Sequence, residues 1–178
     1  RGDCHTEDVV VLLKPMGEDY KGTNLSQKFI DAHRDILDPD GDGTIDVAGG
    51  MHDAGDHVKF CLPGSYAAST LGWGYYEFRD AYVDSGQQWH IEDILHWFND
   101  YYLKCTYFDE NGDILAFCYQ VGEGNIDHNY WNAPELQNES LLDFARPAYF
   151  ATVETVISML ALMPFFEVAV IVALPSAI

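Results

Sequence analysis

Apolar side chains recur at helical spacing in three segments of the chain. They mark residues 25–37, 71–82 and 91–105, and the third segment separates its apolar and polar faces most clearly. Asn24 or Ser26 can cap the first of these helices. Because helices joined by short links pack as helical hairpins, we expect a mainly α fold.

Two long polar stretches, residues 38–63 and 108–149, separate the helical segments. Loops of this length in a domain are usually functional. The second contains Glu110-Asn111-Gly112-Asp113, an Asn-Gly turn between apolar runs that predicts a short β-hairpin. We therefore expect long functional loops on one side of the helices.

The last segment, residues 153–178, is nearly all apolar. It has no Lys or Arg and two acids, Glu154 and Glu167. A membrane helix needs about 20 apolar residues, but Pro164 and Glu167 interrupt this run, which favours a buried helix–strand pair. A third interpretation is that the segment is not the native continuation of the chain.

Charge narrows the range of partners. The 178 residues carry a net charge of −20, with 29 acidic residues against 9 Lys and Arg. Phosphate backbones and anionic membrane surfaces would repel such a chain, so we expect neither nucleic acid nor membrane as a partner. Neutral polymers remain compatible, and the aromatic content of 14% supplies flat faces for sugar rings as well as for a core.

The cysteines Cys4, Cys61, Cys105 and Cys118 show no paired spacing. Four cysteines can form two disulfides in three connectivities, or they can be buried thiols or metal ligands. The chain opens on Arg1-Gly2-Asp3 without a recognisable signal peptide, so the compartment cannot be read directly from it.

The densest group of ionisable side chains lies in "GGMHDAGDHVKF", residues 49–60. Asp53 and Asp56 are separated by Ala54-Gly55, and a tight turn there can aim both carboxylates at one water, which one orients while the other acts as base. Two solvated acids on a turn are the plainer interpretation. As an alternative, His52, Asp53, Asp56 and His57 could bind a catalytic metal, although a single turn rarely points four ligands at one ion.

Two further groups suggest structural metals. Cys4 and His5, together with His52, would supply three of the four ligands of a zinc site, the alternative being a buried thiol and a surface histidine. Residues 38–46 place Asp38, Asp40, Asp42 and Asp46 at positions 1, 3, 5 and 9 of a calcium loop. Gly49 stands where that loop needs its bidentate acid, so a plain acidic turn competes with the calcium site.

The stretch "QVGEGNIDHNYWNAPE", residues 120–135, combines glycines with His128, Tyr130 and Trp131. Exposed aromatic and hydrogen-bonding side chains suit a sugar platform, whereas a loop pinned by its own aromatics would look similar.

Several long motifs in order resemble glycoside hydrolase family 9, the endoglucanases and cellobiohydrolases that cut β-1,4-glucan. They are "RGDCHTED", then "GGMHDAGDHVKFCLPGSYAASTLGWGYYEFRDAY", then "QVGEGNIDHNYWNAPE" and "RPAY". The resemblance covers residues 1–152, the N-terminal part of a catalytic domain, and the apolar tail at 153–178 departs from it. It implies a partial (α/α)6 barrel whose loops form an open cleft.

The resemblance also implies roles for residues. Hydrolysis would invert the anomeric carbon, with Asp56 as base, Asp53 helping to hold the water, and His128, Tyr130 and Trp131 contacting sugar. The family's general acid is a glutamate far downstream, and no residue here matches it, so we expect this chain alone to be inactive. Some members have a zinc site that Cys4, His5 and His52 resemble, with the remaining cysteine upstream of Arg1.

The resemblance implies no cofactor for the chemistry, a β-1,4-glucan substrate, and a secreted, extracellular location. It is compatible with accessory carbohydrate-binding or scaffold-docking modules in the whole protein. Two competing hypotheses are a metal-dependent hydrolase built on residues 52–57 and a non-catalytic glucan-binding module.

Overall fold

The computed structural model describes residues 10–54, 57–129, 131 and 146–152. Cys4, His5, Asp56, Tyr130 and the apolar tail therefore lie outside the described residues. The elements are β1 (Val10–Leu12), α1 (Gln27–Ala32), α2 (Arg34–Leu37), β2 (Thr44–Asp46), β3 (Lys59–Phe60), α3 (Cys61–Glu77), α4 (Arg79–Asp84), α5 (Gln88–Lys104), β4 (Thr106–Phe108), β5 (Ile114–Val121), α6 (Gly124–His128) and β6 (Ala148–Thr152).

The three predicted helical segments are confirmed, and two of them are interrupted. Ser26 caps α1, its hydroxyl accepting a hydrogen bond from the Phe29 N–H at 3.2 Å. His33, at φ −132°, leaves helical geometry and separates α1 from α2, and Phe78, at φ −121°, separates α3 from α4. Helix α3 begins at Cys61, earlier than expected, because Pro63 falls in its first turn, where no backbone N–H is required.

Helices α3 and α5 form the expected antiparallel hairpin. Gly64 lies opposite the Tyr102 hydroxyl and Gly72 opposite Leu95, so the contacts run in opposite directions along the two helices. The Tyr75 hydroxyl donates to the Glu92 carboxylate across the same pair. Glycines on α3 thus allow close approach of α5, whose Tyr101 also reaches the core.

The β-hairpin is confirmed, but it belongs to a four-stranded sheet that the sequence did not predict. The central strand, β5, pairs antiparallel with β4 at one end and with β3 at the other, and β6 pairs along its length. Since β6 occupies one edge of β5, the short strands β3 and β4 share the other edge. A separate ribbon joins β1 to β2, with Val11 opposite Ile45.

The sheet and residues 11–47 enclose a buried core. Asn24 ties the two together, because its side chain donates to the Phe150 carbonyl at 2.9 Å and accepts from the Phe150 N–H at 2.6 Å. Cys61, Cys105 and Cys118 are buried free thiols in this core, so none of them takes part in a disulfide. Within the described residues, no helix combines the length and apolar character that a membrane crossing requires.

Candidate active site

The loop that carries Asp53 follows two glycines and is closed by its own backbone. Gly49 and Gly50 have φ of +112° and +69°. The Asp53 N–H donates to the Val58 carbonyl at 3.0 Å, and Val58 is fully buried. The Asp53 side chain is half-buried, whereas Asp56 lies outside the described residues.

Helix α5 holds the start of this loop. The Trp97 indole N–H donates to the Gly50 carbonyl at 2.7 Å. The buried Tyr101 ring lies so close that a Cβ at Gly50 would stand 2.6 Å from its Cδ1. The sequence predicted no role for either residue: Tyr101 looks like an ordinary position on the apolar face of the helix, and Trp97 belongs to none of the motifs.

Arg146 holds the end of the same loop. Its guanidinium donates to the His57 carbonyl and forms an ion pair with Asp127 of α6. The Asp127 side chain is buried, and the Arg146 side chain is 12% exposed. Burial lowers the pKa of Arg146, and the negative charge of Asp127 opposes this shift.

These contacts bring the separate sequence motifs into one region. Strand β3 follows the Asp53 loop and pairs with β5, with Lys59 opposite Val121 and Phe60 opposite Gln120. Residues 120–128 continue from there into α6, and Arg146 precedes β6, which pairs with the other edge of β5. Residues 57–60, residues 120–128 and Arg146 therefore meet at the same end of the sheet.

Two of the three predicted sugar-contacting residues lie side by side. The His128 and Trp131 rings have centroids 6.3 Å apart in an edge-on arrangement, and the Trp131 side chain is 80% exposed. Tyr130 lies outside the described residues. The exposed indole, with an imidazole beside it, offers an aromatic face to a ligand.

The histidines of the loop are neighbours of each other. His52 is half-buried, His57 is buried, and their ring centroids are 6.1 Å apart. Among the described residues, His52, Asp53 and His57 do not form a group of three converging metal ligands. Cys4 and His5, the other predicted zinc ligands, lie outside this range, so the zinc site stays a prediction.

Three of the four predicted calcium ligands converge. Ligand atoms of Asp38, Asp40 and Asp42 lie within 4.8 Å of one another. The Asp38 side chain is 2% exposed, and its Oδ1 has no hydrogen-bond partner among the described residues, while Oδ2 accepts from the Gly43 N–H at 3.1 Å. A buried carboxylate oxygen left open beside two other carboxylates fits a hard cation such as Ca²⁺.

Asp46, the fourth predicted ligand, stands outside this group. Its carboxylate forms an ion pair with Lys104 at 3.0 Å and accepts from the Ala48 N–H at 3.0 Å. Although partial burial works against ionisation, these hydrogen bonds lower the pKa of Asp46. Asp46 therefore joins strand β2 to helix α5 in this structure.

The loop that carries Asp53 thus lies at one end of the sheet, held by α5 at its start and by Arg146 at its end. The model of Glycosyl hydrolase family 9 matches residues 1–171, and the chain belongs to this family. That match runs past residue 152, where the sequence alone suggested a boundary, and the boundary itself stays a prediction.

Comparisons with individual relatives support the family assignment. Endoglucanase A of Bacillus pumilus is 41% identical over 104 residues, which are 58% of this chain and 14% of that protein. The catalytic domain of Clostridium thermocellum CelT is 52% identical with a TM-score of 0.75, over 86% of this chain and 29% of that domain. The cellulase Cel9M of C. cellulolyticum is 44% identical with a TM-score of 0.52, over 65% and 25% of the two chains. The chain thus spans less than a third of the length of each of these relatives.

Proposed function

We propose that the whole protein hydrolyses β-1,4-glucosidic bonds of cellulose or a related β-glucan, with inversion at the anomeric carbon. The observation that carries this proposal is the meeting of the three motifs. Arg146 binds both the carbonyl of His57, in the Asp53 loop, and Asp127, in the helix that ends at His128. A carboxylate-bearing loop and an exposed aromatic pair are therefore fixed relative to each other, as cleavage of a bound sugar chain requires.

The proposed mechanism gives Asp56 the role of base. It takes a proton from a water that Asp53 helps to hold, and that water attacks the anomeric carbon on the face opposite the leaving oxygen. In inverting enzymes the base and the general acid stand roughly 6.5–9.5 Å apart, which leaves room for the water. The acid protonates the leaving oxygen, and we place it in a part of the protein outside this chain.

The substrate would lie against the exposed aromatic side chains. Trp131 offers a flat face for a glucose ring, with His128 beside it as a hydrogen-bonding group, and we assign Tyr130 to the same surface. The net charge of −20 is compatible with a neutral polysaccharide.

Two structural metals belong to the proposal. Asp38, Asp40 and Asp42 would hold Ca²⁺, which would fasten the loop between α2 and β2, and His52 would join Cys4 and His5 as ligands of Zn²⁺. Neither ion takes part in the hydrolytic step.

Metal analysis of the whole purified protein tests both assignments. We expect bound calcium that is lost in Asp38→Asn, and bound zinc that is lost in His52→Ala. Protein free of both metals would contradict them.

We further propose that the whole protein is secreted and completes an (α/α)6 barrel. Its partner is the glucan, and accessory carbohydrate-binding or scaffold-docking modules are compatible with it. Because we place the general acid outside the 178 residues, we expect these residues alone to be inactive.

The substitution Asp56→Asn in the whole protein tests the base assignment. Removing a general base should lower kcat on soluble cellulose at least about 100-fold, while binding to insoluble glucan stays within about twofold. Asp113→Asn, the same change on the exposed hairpin turn, serves as the matched control and should leave both values unchanged. Unchanged hydrolysis by Asp56→Asn would overturn the assignment, and activity that disappears on metal removal while the fold persists would favour the metal-dependent alternative.

A further inference from the structure

We infer that Trp97 is a positioning residue for the catalytic loop, acting through the hydrogen bond from its indole N–H to the Gly50 carbonyl. This inference rests on the proposed function, because it concerns the loop that carries Asp53 and Asp56.

The hydrogen bond joins two distant parts of the chain. Trp97 lies in the middle of α5, 47 residues from Gly50, and the Nε1···O distance is 2.7 Å. An indole N–H is only a donor, and the carbonyl that it binds belongs to the peptide three residues before Asp53. The bond therefore sets the orientation of the backbone shortly before it reaches Asp53.

Tyr101 supports the same contact one helical turn further along α5. Its ring fills the space in which a side chain of Gly50 would stand, at 2.6 Å from the Cβ position. Tyr101 is itself buried in the core, and α5 packs against α3 through Tyr102 and Leu95. These contacts fix helix α5 in the fold, and α5 in turn holds the start of the loop in position.

The two ends of the loop are held by different means. At the far end, the Asp53 N–H bonds to the Val58 carbonyl and Arg146 bonds to the His57 carbonyl. At the near end, residues 47–53 belong to no helix or strand, and Trp97 supplies a polar anchor there. Proton transfer from a bound water depends steeply on the position of the base, so loosening this anchor should reduce turnover more than substrate binding.

The exposure of Trp97 makes the bond testable without damage to the core. The side chain is 41% exposed, so Trp97→Phe removes the N–H and keeps most of the aromatic contact. Trp89→Phe is the matched control, because Trp89 is an exposed tryptophan of the same helix, 60% exposed and remote from the loop in sequence.

The experiment compares Trp97→Phe, Trp89→Phe and Asp56→Asn in the whole protein. For Trp97→Phe we expect kcat on a soluble cello-oligosaccharide to fall about tenfold with KM within about twofold, and amide hydrogen exchange of residues 51–54 to become faster. Trp89→Phe should change neither quantity.

Each other result overturns the inference. Unchanged exchange in Trp97→Phe would show that the hydrogen bond does not hold the loop. Faster exchange with unchanged kcat would show that the loop position does not limit catalysis. In either case, if Asp56→Asn still abolishes turnover, the proposed function stands and only the role of Trp97 fails; if Asp56→Asn is also active, the base assignment fails as well.

Discussion

Lys59 places an ammonium group in the core, directly after the loop that carries Asp53. The side chain is 2% exposed, its nitrogen lies 5.4 Å from the centroid of the Tyr101 ring, and it has no hydrogen-bond acceptor among the described residues. Burial, with repulsion from Arg146 as a smaller cause, lowers the pKa of Lys59 to about 8. A charge held this way destabilises the fold at neutral pH.

We therefore predict that Lys59→Met stabilises the protein, and that the gain depends on pH. Below pH 8 the lysine is charged in both the folded and the unfolded chain, so its burial cost is fully present. Between about pH 8 and its ordinary value of 10.5, the unfolded chain binds the proton more than the folded one, so the cost disappears as pH rises. Urea unfolding should show a gain on the order of 2 kcal/mol at pH 7 that shrinks by pH 10. A loss of stability at pH 7, or a gain independent of pH, would contradict this.

At the scale of elements, helix α5 packs directly against the start of the loop at 49–58, through the contact of Tyr101 with Gly50. The contact requires a glycine at position 50, because φ is +69° and the Tyr101 ring occupies the place of a side chain. Gly86, between α4 and α5, has the same φ of +69° but nothing within 4 Å of its Cβ position.

Alanine substitutions at Gly86 and Gly50 separate the cost of backbone strain from the cost of steric conflict. We expect Gly86→Ala to cost about 1 kcal/mol for the left-handed conformation alone. Gly50→Ala should cost a further 1–3 kcal/mol or so, because the Tyr101 ring must move. Denaturant midpoints of the two variants measure the difference, and equal destabilisation would argue against tight packing of the loop on α5.

The elements also show what the sequence could predict. Helix α5 could be predicted because its apolar positions repeat over several turns, and the β4–β5 hairpin could be predicted from its Asn-Gly turn. Strand β3, with two residues, carries no pattern of its own and exists only because β5 lies beside it. The hydrogen bond between Trp97 and Gly50 could not be predicted for a similar reason, since it depends on packing between segments far apart in the chain.

At the scale of the whole molecule, the helices present large apolar side chains that the described residues do not cover. Tyr66, Trp73 and Tyr76 of α3 are each more than two-thirds exposed. A helix of this composition suits a position between neighbouring helices, as in the proposed barrel. The family motifs allowed the substrate class and the aspartate pair to be proposed from sequence. The contacts of Trp97 and Arg146 with the loop could be seen only in the fold.

The anomeric form of the first product tests the central claim most directly. Proton NMR can follow the whole protein as it cleaves a soluble cello-oligosaccharide, faster than the new reducing ends mutarotate. Attack by a water that Asp56 activates, on the face opposite the leaving oxygen, predicts that these reducing ends appear first in the α form. Products that appear first in the β form would show retention and would contradict the proposed mechanism.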